Sequence, residues 1–327
     1  MRRILALFLL MTPPVFAAPP VVILDTDFRS DVDDIGALAM LNALADNGAC
    51  ELAGVIASQT GPQVVAAINA VNTYYRRGEV PVGLSPVPDV RYDDFYVPTI
   101  GDPEKYPSTQ RNETASDSTT LYRRLLAAAP DKSVRVIVIG GQTCIKLLLD
   151  SRADHEGDGS IGKTGRELVE TKVEGLYLMA GHFTDPAWKE HNIMLDLEAS
   201  QRISAEWPTP IVYSGFEIGV NVQTGGKTTN PETNPVAKAY ELFPAGGVGT
   251  IASSSSYDQT MVYHALVGTH AGDTALWRLS EPGTVSYPEG RTVFEANPKG
   301  QHRYLIAEAP PETAAEAIEA LMIQPPK

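Results

Sequence analysis

The chain has 327 residues, with 26 Lys and Arg against 40 Asp and Glu and a formal charge of −14. That balance argues against a nucleic-acid groove or an anionic membrane surface as partner, and two cysteines exclude a disulfide scaffold or a Cys-rich zinc module. With 43% hydrophobic residues, the length suits an acidic, well-cored enzyme or small-molecule binder.

Residues 1–17 read as a secretory signal peptide. Arg2 and Arg3 precede an apolar run over residues 4–11, and Ala17 and Ala18 offer the cleavage site. A run of about eight apolar residues is too short to span a bilayer. The expected mature protein, residues 18–327, is a single exported domain, periplasmic or secreted, with no membrane partner once the signal is cleaved. Cys50 and Cys144 could pair in such a compartment; the sequence leaves that open.

Along the mature chain, strand and helix alternate. Residues 21–24 read as a buried strand, and 35–44 as a helix stopped by Asn47-Gly48. Strands follow at 52–57 and 80–83, with a helix at 64–75 between them. Residues 85–117, rich in Pro, Asp, Tyr and Thr, have no clear period and read as a long loop near a site. Helices are expected at 121–129, 143–149, 166–172, 197–206 and 312–322, and strands at 134–139, 176–180 and 210–213. Strands that are apolar throughout, rather than alternating, predict an α/β fold: a mostly parallel central sheet with helices on both faces. Ligands in such sheets sit at the carboxyl ends of the strands.

The chemistry concentrates after the first strand. Asp25-Thr26-Asp27-Phe28-Arg29-Ser30-Asp31-Val32-Asp33-Asp34 places five carboxylates in ten residues. A helix cap and the helix dipole explain two or three of them, at about 0.3–1 kcal/mol each. Carboxylates about 6 Å apart repel by roughly 0.7 kcal/mol in water and about 3 kcal/mol at an effective dielectric of 20. Several such pairs call for a cation or for protons. Oxygen donors alone suit Ca²⁺ or Mg²⁺ rather than zinc, and the six His form no His-x-x-x-His pair. An EF-hand would need Gly where Ser30 stands. A phosphotransferase of the haloacid dehalogenase type also opens with Asp-x-Asp, with Asp25 or Asp27 as nucleophile, but Arg29 stands where its Thr or Val belongs.

Four segments together resemble the calcium-dependent nucleoside hydrolases, in a branch of exported bacterial homologues. They are Asp25-Thr26-Asp27 with Asp33-Asp34-Ile35-Gly36-Ala37-Leu38, Gly140-Gly141-Gln142-Thr143-Cys144-Ile145, Glu190-His191-Asn192-Ile193 with Asp196, and Ser255-Ser256-Tyr257-Asp258-Gln259-Thr260. They occur in the family's order and span most of the mature chain. The resemblance implies a Rossmann-like nucleoside hydrolase fold and a Ca²⁺ held by Asp27, Asp34, Asp258 and the Thr143 carbonyl. It implies that Asp27 is the general base and that Asp33, Glu190 and Asn192 bind the ribose hydroxyls. The implied substrate is a ribonucleoside or related ribosyl compound; a homo-oligomer stays open.

The departures concern the leaving group. Tyr257, expected beside the substrate, stands where purine-acting members have a His, and a phenol with a pKa near 10 is a poorer acid. Phe28-Arg29 replaces a segment with Gly second, Cys144 replaces Asn, and Ser58-Gln59 stands where members carry a sugar-binding Asn. A binding protein that kept the metal and ribose site without turnover is therefore the alternative. Gly157 to Thr164 satisfies the P-loop pattern, but polar residues rather than a strand precede it. Tyr92, Phe95 and Tyr96 suggest either a flap or core packing, and Glu217 either a pocket residue or a structural one.

Overall fold

The computed structural model describes residues 18–29, 31–88, 95–157, 162–185, 187–244 and 249–327. The apolar runs form β1 (Val21–Thr26), β2 (Glu51–Ala57), β3 (Val82–Leu84), β4 (Ser116–Asp117), β5 (Val134–Val138), β6 (Val173–Met179) and β7 (Ile211–Ser214). All pair in parallel, in the order 4-3-2-1-5-6-7. This is the expected α/β architecture. All six residues of β1 are buried. Val22 and Leu24 enter one core and Val21 and Ile23 the other, because successive side chains in a strand point to opposite faces.

Helices Asp33–Asp46, Val64–Tyr74, Tyr257–Leu266 and Pro311–Met322 supply the first core. Helices Ser118–Ala128, Thr143–Asp150, Gly165–Lys172 and Leu197–Glu206 supply the second. The helix Asp33–Asp46 is buried from Asp33 to Leu44, packed against Tyr257–Leu266 and Pro311–Met322. That packing sets the two acidic helix starts, at Asp33 and at Tyr257, beside each other.

The sheet continues where no strand was expected. His302–Ala307 pairs in parallel with β7 and antiparallel with Trp277–Leu279 and Gly283–Ser286, and Val293–Ala296 closes the edge. These strands mix polar and apolar residues because one side faces water; Gly283–Ser286 alternates buried and exposed positions. The long segment 85–117 is also more ordered than expected, with a helix Val97–Ile100, a turn Asn112–Thr114 and β4. Tyr92 lies outside the described residues. Tyr96 is fully buried, edge-on to Phe28 at 5.8 Å, while Phe95 is exposed against Phe243 at 5.9 Å.

In the P-loop-like segment, residues 158–161 lie outside the described residues. Thr164 closes a capping box with Glu167 at the start of Gly165–Lys172, so its hydroxyl serves the helix end. Cys50 and Cys144 are both free and buried, one in each core.

Candidate active site

The order of strands reverses at β1, which lies between β2 and β5. At such a switch point the chain leaves adjacent strands in opposite directions and opens a crevice beyond their carboxyl ends. A cavity of about 280 Å³ occupies this place. Asp27, Asp31, Asp33 and Asp34 line it from the first loop, Glu190, His191 and Asn192 from the segment after β6, and Tyr257 and Asp258 from a helix start more than two hundred residues downstream. Ile139, Met179 and Phe216 complete its wall. A larger depression of about 640 Å³ opens near the amino ends of β1 and β2, lined by Val21, Cys50 and Arg77 among others. It carries no comparable acid cluster.

Local geometry explains the convergence. The Asp33 carboxylate accepts the backbone N–H groups of Tyr257 at 3.1 Å and Asp258 at 3.3 Å, tying the two helix starts together. The Thr26 hydroxyl donates to Asp34. Phe28 sits at φ 48°, so the loop takes a left-handed turn without the glycine that favours one. The cost, about 1–2 kcal/mol, is offset by complete burial of the ring against Tyr96.

Gly140 presses the end of β5 against that loop. A Cβ there would lie 2.8 Å from the Asp27 nitrogen and 2.9 Å from the Asp27 Cβ. Gly140→Ala is therefore expected to displace Asp27 and cut turnover by about 10–100-fold, since misplacement by about 1 Å can cost that much. Steady-state kinetics beside a thermal melt separates this loss from unfolding.

Burial dominates the electrostatics. It raises Asp27, Asp33 and Asp258 well above the usual carboxylate range, and each is raised further by the charges of its neighbours. Asp34 is pushed up to about 7 by burial and then by Asp31. One oxygen from each of Asp31, Asp33 and Asp34 lies within 4.8 Å of the others. Arg29, itself buried, pulls Asp27 back toward ionisation and donates to the Gln59 side chain at 2.9 Å. So much buried negative charge demands protons or a cation, and an all-oxygen donor set fits a hard divalent ion. Asp25 lies outside the cavity; burial raises it to about 8, and the Tyr122 hydroxyl donates to it at 2.8 Å. The phosphotransferase alternative thereby loses the first of its two nucleophiles.

Glu190 caps the helix His191–Leu195. Its carboxylate accepts N–H groups from Asn192, Ile193 and Gly181, and burial raises it to about 7. The Asn192 amide donates to the carbonyls of Ile139 at 3.2 Å and Met179 at 3.1 Å, which leaves its Oδ1 as the free acceptor at the cavity.

Thr143 is not among the cavity residues. It begins the helix Thr143–Asp150. Its hydroxyl donates to Asp196 at 2.7 Å. It lines a neighbouring recess of about 100 Å³ with Ser58, Gln59 and Ser85. Ile139, the residue that follows β5, lines the cavity instead, and its carbonyl accepts the Asn192 amide beside it. The Gly-Gly pair after Ile139 was the available signal, because the chain must turn there.

Sequence reasoning also missed Phe216, whose ring stacks on Tyr257 at 5.1 Å and meets Trp188 at 5.0 Å and His182 at 5.5 Å. Glu217 takes the structural role: it accepts the Phe183 N–H, lies 3.3 Å from His182 Nδ1 and stays outside the cavity.

The family model of inosine-uridine preferring nucleoside hydrolases matches residues 22–288. The chain belongs to this family. It is thus a nucleoside hydrolase by descent, of a class acting on N-glycosidic bonds. A purine-preferring ribonucleoside hydrolase from Gardnerella vaginalis superposes with a TM-score of 0.66 at 18% identity, over 92% of this chain and 98% of that one. The inosine-uridine preferring nucleoside hydrolase of Bacillus anthracis gives 0.61 at 16% identity, over 93% and 99%. The type III effector XopQ, solved with adenosine diphosphate ribose, gives 0.60 at 17% identity, over 95% and 94%. At these identities the likeness is one of fold. No curated protein matches the sequence.

Proposed function

We propose that this nucleoside hydrolase is an exported, Ca²⁺-dependent N-ribohydrolase that splits a ribonucleoside or related ribosyl compound into ribose and free base. One observation carries the reading: six carboxylates from three distant stretches, Asp27, Asp31, Asp33, Asp34, Glu190 and Asp258, line one cavity at the switch point of the sheet. Export rests on the charged, apolar and small-residue order of residues 1–17.

Asp27, Asp34, Asp258 and the Ile139 carbonyl are the oxygens assigned to the ion, the carboxylates following the resemblance; Asp34 also belongs to the close trio with Asp31 and Asp33. Bound there, Ca²⁺ supplies Lewis acidity toward a water and the vicinal hydroxyls of the sugar. Asp27 takes the proton of the water that attacks C1′. Asp33, Glu190 and the Asn192 Oδ1 hold the ribose hydroxyls, contacts that strengthen as the ring flattens toward an oxocarbenium-like transition state. Phe216 and Tyr257 offer an aromatic face to the base at the cavity wall.

Tyr257 also favours a second reading. Its phenol is raised above its ordinary value by burial, which makes it a poor proton donor to a departing base. A chain with no other donor would bind ribosyl compounds without cleaving them. Incubation with a panel of nucleosides, with Ca²⁺ or with EDTA, decides between the two. Ribose release that EDTA abolishes supports the hydrolase; tight binding with no reducing sugar supports the binder.

A further inference from the structure

We propose that His191 is the acid that protonates the departing base. The inference deepens the N-ribohydrolase reading and rests on it. Eight side chains lining the cavity carry an ionisable group: six carboxylates, the Tyr257 phenol and the His191 imidazole. Five of the carboxylates are occupied as acceptors or assigned to the ion and the water, and the sixth, Asp31, is hydrogen-bonded to Asp33. Both Glu190 oxygens accept backbone N–H groups, Asp33 accepts two more, and Asp34 accepts from Thr26. Tyr257 stacks its ring on Phe216 at 5.1 Å, and a phenol, with an ordinary pKa near 10, is a poor acid at neutral pH. An imidazole changes charge between about pH 5 and 8, which suits it to give and regain a proton near neutrality.

Its placement fits the role. His191 is the first residue of the helix His191–Leu195, fixed between Glu190 and Asn192, both buried at the cavity. It is solvent-exposed, so water can return the proton after each turnover. Its charge reaches Asp31 at the cavity wall and pulls that carboxyl downward against the effect of burial. In the step, the C1′–N bond breaks, its electron pair leaves with the base, and the base nitrogen takes the imidazolium proton. The attacking water forms the C1′–O bond and gives its proton to Asp27, and solvent restores both groups. The signal was present in Glu190-His191-Asn192, where the middle residue of the motif is an acid-base group.

The test compares two leaving groups. The nitrophenolate of p-nitrophenyl β-D-ribofuranoside needs no proton to depart, whereas inosine or uridine does. His191→Gln is expected to lower kcat/KM for the nucleoside at least about 100-fold and for the nitrophenyl riboside by no more than about threefold. His191→Asn should behave alike, with unchanged melting temperature, and Tyr257→Phe should leave the ratio of the two rates within a few-fold. Equal losses on both substrates, or no loss on either, would overturn the assignment. So would a selective nucleoside loss in Tyr257→Phe alone. A wild-type protein that cleaves neither substrate overturns the hydrolase reading itself, which distinguishes that failure from this one.

Discussion

Asp27→Ala is expected to reduce ribose release at least about 10⁴-fold while the variant still folds. A positioned general base contributes about 10²–10⁴ on its own, and the same carboxylate is assigned to the ion. The fold does not depend on it. Asp27 is buried among Asp31 and Asp34, and its own ionisation is disfavoured by burial and by both neighbours. Removing it relieves repulsion between like charges, so in EDTA the variant should melt at or above the wild-type temperature. Kinetics with inosine and uridine, beside thermal melts, checks both halves. Turnover within about tenfold of wild type would remove Asp27 from the chemistry, and a collapsed melt would make it structural.

The second large effect is a stability that depends jointly on pH and on the ion. Asp34 and Glu190 are raised to about 7 and Asp25 to about 8, each by burial first. A carboxyl whose folded value lies above its unfolded one gives full stability below about pH 4, where both states are protonated. That stability is lost progressively from about pH 4, where the unfolded group ionises and the buried one does not, and the loss is complete once pH has risen through 7 to 8, where the folded group ionises too. For Asp34 alone the difference amounts to roughly 4 kcal/mol. The EDTA-treated protein should therefore lose stability steadily from about pH 4 to 8. Calcium bound at the proposed site would hold Asp34 and its neighbours ionised, so the ion should restore the part due to the cavity. A hundredfold excess over Kd is worth about 2.7 kcal/mol, or roughly 5–10 °C in melting temperature. Asp25 lies outside the cavity, and its share should persist with calcium present. Melts at pH 5 and pH 8, with and without Ca²⁺, separate the contributions; a calcium effect that is absent at pH 8 would contradict the assignment.

The parallel half of the sheet and its helices were legible because burial on both faces forces long apolar strands, as in β1, β5 and β6. The C-terminal antiparallel strands were not: Gly283–Ser286 and His302–Ala307 each keep exposed positions, so they carry no continuous apolar run. Most of the site was legible for a different reason. Five acids in ten residues are too many for a helix start, and the late Asp258 sat in a recognisable segment. The main-chain oxygen was the least legible part: Thr143 lines the neighbouring recess, while Ile139, whose carbonyl is the one proposed for the ion, lines the cavity and carries no polar side chain to mark it. Phe216 was hidden as well, because an aromatic residue reads as core until its neighbours are placed.

Calorimetric titration of Ca²⁺ into the EDTA-stripped, dialysed protein at pH 7 tests most directly whether the carboxylates form one ion site. The expected result is one ion per chain, with protons released as the raised carboxyls ionise, and loss of the signal in Asp34→Asn and Asp258→Asn. A titration without heat, or one that survives both substitutions unchanged, would contradict the site.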